Sequence, residues 1–180
     1  MRTFVAIEVS DQDVLNSISQ VQAELNIKAK PVEIHNMHFT VQFLGEVSEE
    51  MVRKISSELS SLEFTPFSVS FVGVGVFPKS SSPRVIWIGT NEGSAGELEK
   101  LAEMIRMKLS QLGFQPDKKF KPHVTIFRVK KKIENVSNEL QKFSTYIFGK
   151  QVISEVKLKK SELTITGPIY TDLLVVKGKK

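Results

Sequence analysis

From Thr3 to Val9 the side chains alternate, with Phe4, Ala6 and Glu8 against Val5, Ile7 and Val9, which predicts a strand with much of its surface buried. Ser10 or Asp11 offers an N-cap, and Val14, Ile18, Val21 and Leu25 then recur at helical spacing, the stripe of an amphipathic helix lying on a sheet. Pro31 ends any helix, and a strand is expected from about Met37 to Leu44, closed by Gly45. Ser48 ahead of Glu49, Glu50 and Met51 resembles a helix start, followed by the stripe Val52, Ile55, Leu59 and Leu62. Phe67, Val69 and Phe71 share one face of a strand running to Phe77, with Gly73 and Gly75 as a bend. The polar turn from Pro78 to Pro83 leads to a strand over Arg84 to Gly89, so these two form a hairpin.

The order then starts again. Ser94 is placed to cap a helix whose stripe is Leu98, Leu101, Ala102, Ile105, Leu109 and Leu112, with Gly113 as terminator. A loop with Pro116, another strand, a weaker helix around Ile133 to Phe143, and strands near Gln151 to Leu158 and Ile169 to Val176 follow. His38-Phe39-Thr40-Val41 in the first half answers His123-Val124-Thr125-Ile126 in the second, 85 residues later. Both His38 to Phe67 and His123 to Val152 are 29 residues, which marks an internal duplication. The expected architecture is α+β: one domain over 1–180 made of two similar lobes, with repeat halves of roughly 1–80 and 84–176 and room for strand exchange between them. Each lobe is an antiparallel sheet with helices on its outer face, and a pseudo-two-fold axis relates the lobes across a central cleft.

Composition narrows the chemistry. With 41% hydrophobic residues in 180 there is enough apolar material for a core, and no run is long enough to span a bilayer. Glu8 falls where a signal peptide needs its apolar segment, so a soluble cytoplasmic protein is expected. Nothing in the sequence suggests an obligate partner, and a monomer is expected. The absence of cysteine excludes disulfides, thiolate catalysis and Cys-based zinc sites, and the three histidines at 35, 38 and 123 argue against a His-rich metal site. A net charge of +5 favours a polyanionic partner. There is no P-loop, no Gly-x-Ser-x-Gly elbow, and the acidic pairs Glu49/Glu50 and Glu97/Glu99 sit at helix starts, where the dipole favours them.

Alternation puts His38 with Thr40, and His123 with Thr125, on one face of their strands. If the two strands meet, two imidazoles flank one site. One ring can take a proton from an attacking water while the other gives one to a leaving oxygen, because imidazole titrates near neutrality. The hydroxyls of Thr40 and Thr125 can then donate to non-bridging phosphate oxygens, and no metal or other cofactor is required. The same alternation puts Arg128 on the face opposite His123, so it reaches the site only if the strand bends. His35 falls opposite His38 and is set aside, and Trp87 and Phe127 are either base-stacking rings or core.

These residues resemble the twin HxTx signature of the two-histidine phosphoesterases, and within them the RNA 2′,3′-cyclic phosphodiesterases once called 2′-5′ RNA ligases. The resemblance extends to Phe4-Val5-Ala6-Ile7, Phe43-Leu44-Gly45-Glu46, Gly75-Val76-Phe77-Pro78, Arg84-Val85-Ile86-Trp87, Leu112-Gly113-Phe114, Ser161-x-Leu163 and Gly167-Pro168-x-Tyr170. It departs at Gln42, where family members often carry Lys. The resemblance implies hydrolysis of RNA 2′,3′-cyclic phosphate ends to 2′-phosphates, with tRNA fragments among the possible substrates, and the reverse joining of a 5′-hydroxyl through a 2′-5′ bond. It implies His38 as proton donor, His123 as proton acceptor, and Thr40, Thr125 and Arg128 as phosphate ligands. Two alternatives stay open: a two-histidine phosphodiesterase of another cyclic nucleotide or of 2′-5′ oligonucleotides, and a noncatalytic RNA-binding module.

Overall fold

In chain order the elements are β1 (Arg2–Glu8), α1 (Gln12–Glu24), β2 (Lys30–Pro31), a 3-10 turn (Ile34–Asn36), β3 (His38–Glu46), α2 (Glu49–Ser60), β4 (Phe67–Lys79), β5 (Ser82–Thr90), α3 (Glu92–Ser110), β6 (Val124–Arg128), α4 (Ser137–Gln141), β7 (Ile147–Ile153), β8 (Glu155–Thr164) and β9 (Gly167–Lys177). They come from a computed structural model that describes all 180 residues. No helix is long and apolar enough to cross a membrane.

Local chemistry sets the helix starts. The Asp11 carboxylate accepts the Val14 N–H at 3.0 Å, which makes Asp11 rather than Ser10 the cap of α1, and Ser48 Oγ accepts the Met51 N–H at 3.1 Å at the head of α2. Ser94 is not the cap of α3: Asn91 is, accepting the Ser94 N–H at 2.9 Å. The buried Ser94 hydroxyl oxygen accepts the N–H of Ser70 in β4 instead. The helix expected over Ile133 to Phe143 shrinks to the five residues of α4. The N–H groups of Val129 and Val136 are committed to the carbonyls of Arg84 and Ser80 at the β4–β5 hairpin, so the chain before α4 follows the hairpin instead of closing into a helix.

All pairings are antiparallel, and the strand order is β7-β4-β5-β6-β3-β1-β8-β9, with β2 added beside β6. The order reads as two half-sheets, β7-β4-β5-β6 and β3-β1-β8-β9, in which β6 answers β3 and β5 answers β1. Their strands pair at a single position, Phe39 with Val124. The stretch Gln151 to Leu158, expected as one strand, is two: β7 pairs with β4 and β8 with β1, at opposite ends of the order, and the chain changes partner at Ser154. Conversely β4, which follows α2 in the first half of the chain, pairs with β5 of the second.

One face of this sheet is apolar and carries the helices. Val14, Ile18 and Val21 of α1, Ile55 and Leu59 of α2, and Leu98, Leu101, Ile105 and Leu109 of α3 are buried against Val5, Ile7, Phe39, Ile86, Ile88, Val124 and Leu158 in one core of 36 residues. The core crosses the join, where the Phe39 and Phe71 rings stack with centroids 5.6 Å apart. Burial of this kind contributes roughly 1.5–3 kcal/mol per large side chain. The two half-sheets are therefore held side by side mainly by what lies beneath them.

Candidate active site

The Phe39–Val124 pair fixes the site's geometry. Both side chains are fully buried on the helix face, so His38 and Thr40 before and after Phe39, and His123 and Thr125 around Val124, project from the other face. Antiparallel direction sets His38 toward Thr125 and Thr40 toward His123. The imidazoles are then diagonal neighbours, whose Cβ atoms in an ideal ladder lie roughly 7–8 Å apart. All four side chains are half-buried. The structure thus brings together the two histidines and two threonines that the sequence singled out.

Each ring is oriented the same way. Nδ1 of His38 lies 2.7 Å from the Asn36 carbonyl, and Nδ1 of His123 lies 2.6 Å from the Lys121 carbonyl. A carbonyl only accepts, so Nδ1 carries the hydrogen in both rings and Nε2 holds the free lone pair. Nε2 of His38 stands 2.9 Å from Thr40 Oγ1, which donates to it while the ring is neutral. Burial pushes the His38 pKa down to about 4; the Asn36 carbonyl opposes this, the charges of Lys159 and Arg128 add to it, and Glu8 works the other way. Burial likewise lowers His123, against the Lys121 carbonyl and with the charges of Lys121 and Arg128. Both rings are neutral at pH 7 in the free protein.

Arg128 acts on both rings because the strand does bend. Trp87 pairs with Thr125 and Ile86 with Phe127, which leaves Ile126 unpaired as a bulge. The extra residue reverses the parity, so Phe127 turns into the core and Arg128 comes round to the histidine face. The first motif carries the same device: Ala6 pairs with Thr40 and Val5 with Gln42, leaving Val41 unpaired. Gln42 is thereby buried on the helix face beside Ala102 and Phe120, so a phosphate contact is not available to it. Phe43, the counterpart of Arg128, comes round to the cleft face across from Phe4 and is 67% exposed.

The two rings have different walls. His38 meets Phe4 at 5.2 Å and Tyr170 edge-on at 5.4 Å. His123 meets Phe77 edge-on at 5.0 Å and Trp87 at 6.2 Å. Trp87 therefore lines the site and Phe127 belongs to the core, while His35 sits exposed on the 3-10 turn. Gly75 makes Trp87's position possible, because a Cβ there would overlap the indole. Behind His38 lies a charge tetrad that sequence reasoning missed. Lys157 contacts Glu8 and Asp172, each at 2.8 Å, and Lys159, 6% exposed, contacts Glu8 and, at 2.6 Å, Asp172. Burial works against the Glu8 charge, but the bonds to Lys157 and Lys159 outweigh it and hold that carboxyl below its usual range. The signal was available as lysines at alternate positions among Val156 and Leu158. Their partners Glu8 and Asp172 lie on other strands, which no local pattern reveals. No three His, Asp or Glu side chains stand together as a metal would need.

Known proteins resemble this chain along nearly its whole length. The model of the LigT-like phosphoesterases matches this chain twice, over residues 7–87 and 88–170. The chain belongs to the LigT-like phosphoesterase family. Each LigT-like match contains one His-x-Thr strand. Among its relatives is a protein of Archaeoglobus fulgidus named RNA 2′,3′-cyclic phosphodiesterase, 45% identical over 97% of this chain and 99% of its own. A Methanothermobacter thermautotrophicus protein of the same name is 35% identical over 97% of both chains. The crystal structure of a Thermus thermophilus protein superposes on this LigT-like chain with a TM-score of 0.80, at 30% identity, covering 98% of this chain and 97% of that one.

Proposed function

We propose that the protein is an RNA 2′,3′-cyclic phosphodiesterase that works with two histidines, opening a terminal 2′,3′-cyclic phosphate to a 2′-phosphate. The observation that carries this reading is the pair of tautomer-fixed Nε2 atoms on one face of the join, with the Thr40 and Thr125 hydroxyls between them and the Arg128 guanidinium acting on both. Relatives bearing the name RNA 2′,3′-cyclic phosphodiesterase support the substrate class.

In this mechanism the cyclic phosphate lies between the rings. His123 Nε2 takes a proton from a water, whose oxygen bonds to phosphorus. The bond from phosphorus to O3′ breaks, and the proton on His38 Nε2 passes to O3′, leaving a 2′-phosphate and a free 3′-hydroxyl. Thr40, Thr125 and Arg128 hold the non-bridging oxygens, where negative charge gathers. His38 needs its proton first, and the incoming phosphate, itself anionic, favours the charged imidazolium that burial disfavours. A 5′-hydroxyl replacing the water would form the 2′-5′ bond by the same proton transfers. The chain acts in this reading as one bilobal domain and as a monomer.

The test is turnover of an RNA ending in a 2′,3′-cyclic phosphate, without added metal and with chelator present. Replacement of either His38 or His123 by Ala should lower kcat by roughly 10²–10⁴-fold while the thermal melt stays cooperative. Wild-type turnover that requires a divalent ion would overturn the mechanism.

A further inference from the structure

Positive charge is distributed unevenly around the cleft. On the His38 side the lysines of β8 are consumed by carboxylates: Lys157 and Lys159 by Glu8 and Asp172, and Lys160 by Glu162 at 3.1 Å. On the His123 side the opposite holds. Between Asp117 and Glu134 the chain carries Lys118, Lys119, Lys121, Arg128, Lys130, Lys131 and Lys132 and no acid. Seven cations against a whole-chain net of +5 leave the rest of the protein with −2. All seven are exposed, and none forms an ion pair.

Their placement ties them to the site. Arg128 faces the cleft at the end of β6, and the chain continues directly into Lys130–Lys132. That segment runs along the tip of the β4–β5 hairpin, fixed by Val129 N–H to the Arg84 carbonyl at 2.9 Å and Val136 N–H to the Ser80 carbonyl at 3.1 Å. The hairpin adds exposed, unpaired Lys79 and Arg84, and its Phe77 and Trp87 form the wall of His123. A group of cations therefore leads outward from the reacting position on the His123 side, where it outnumbers the unpaired Arg2 of β1 on the other. Five unpaired charges here are more than a single terminal phosphate needs, and their grouping suits a polyanion that continues past it.

We propose that Lys79, Arg84 and Lys130–Lys132 hold the backbone phosphates of the RNA strand upstream of the reacting nucleotide, so that the substrate is the end of an RNA chain rather than a free cyclic mononucleotide. This rests on the phosphodiesterase reading above. Single-stranded nucleic acid loses affinity with salt at a logarithmic slope of about −0.7 per phosphate neutralised.

Two measurements separate the inference from that reading. The first compares turnover of a ten-nucleotide RNA with a 2′,3′-cyclic end and of a nucleoside 2′,3′-cyclic monophosphate. Replacing Lys130, Lys131 and Lys132 together with Gln should raise KM for the oligonucleotide roughly tenfold or more at low salt, with kcat retained. Turnover of the mononucleotide should be unaltered. The second measures fluorescence anisotropy of the same RNA with a 2′-phosphate end, which needs no turnover; the triple variant should bind more weakly and lower the salt slope by about 2. RNA affinity and slope unchanged in the variant, or an equal loss on the mononucleotide, would overturn the role of these cations. If the wild type binds RNA through them but turns over neither substrate, the inference stands and the phosphodiesterase reading falls.

Discussion

Burial is the largest influence on His38, and it has a cost that solution measurements can read. The folded pKa of about 4 lies below the unfolded value near 6.5, so between those values the unfolded chain binds the extra proton. The stabilising contribution is complete above pH 6.5 and is lost as pH falls toward 4, by about 3 kcal/mol in all. Urea unfolding at pH 7 and pH 4.5 should show this loss in the wild type and a much smaller one in His38→Gln. Equal pH dependence in both would contradict it. At this scale the sequence was informative where side chains obey alternation, as in His38, Thr40, His123 and Thr125. Strict alternation alone set Arg128 on the opposite face, reaching the site only through a bend, because a bulge at Ile126 leaves no local mark; Glu8, Lys157, Lys159 and Asp172 were missed because they meet across three strands.

Between elements, the two bulges at Val41 and Ile126 stand at the same offset from their histidines, so the duplication preserved a backbone irregularity as well as side chains. The β4–β5 pair shows how narrowly the His123 wall is built. Gly75→Ala adds a methyl where the indole lies and should cost about 1–3 kcal/mol of stability. It should also displace Trp87 from beside His123 and reduce turnover. Trp87 is the sole tryptophan, so its fluorescence reports the movement directly; an unchanged emission spectrum with full activity would refute the steric argument. Apolar stripes located α1, α2 and α3 and most strands. They did not reveal that Gln151 to Leu158 spans two strands: the buried positions are Gln151 and Ile153 before Ser154 but Val156 and Leu158 after it, and this reversal of parity is hidden in the sequence because Val152, which turns outward, is as apolar as the residues that turn inward. The start of α3 was misjudged because Ser94, a good capping residue, serves β4 instead.

For the molecule as a whole, the equal spacing of the two motifs made the two-lobed plan readable, whereas the crossing of β4 and β8 between half-sheets was not, since sequence spacing carries no record of which edge a strand joins. That crossing has a consequence for fragments. Residues 1–80 contain β4 without β5 or β7, and β1 without β8; residues 84–176 lack the complementary strands. Each fragment alone should be largely disordered by circular dichroism, and a fragment 1–80 with dispersed amide resonances would contradict this. Finally, because Phe39 and Val124 form the sole rung between the half-sheets, hydrogen bonding does not dictate how far the mouth above them gapes. The girth of the side chains wedged underneath sets that width, so enlarging or trimming Phe39 or Phe71 would retune the distance between the imidazoles without touching either one.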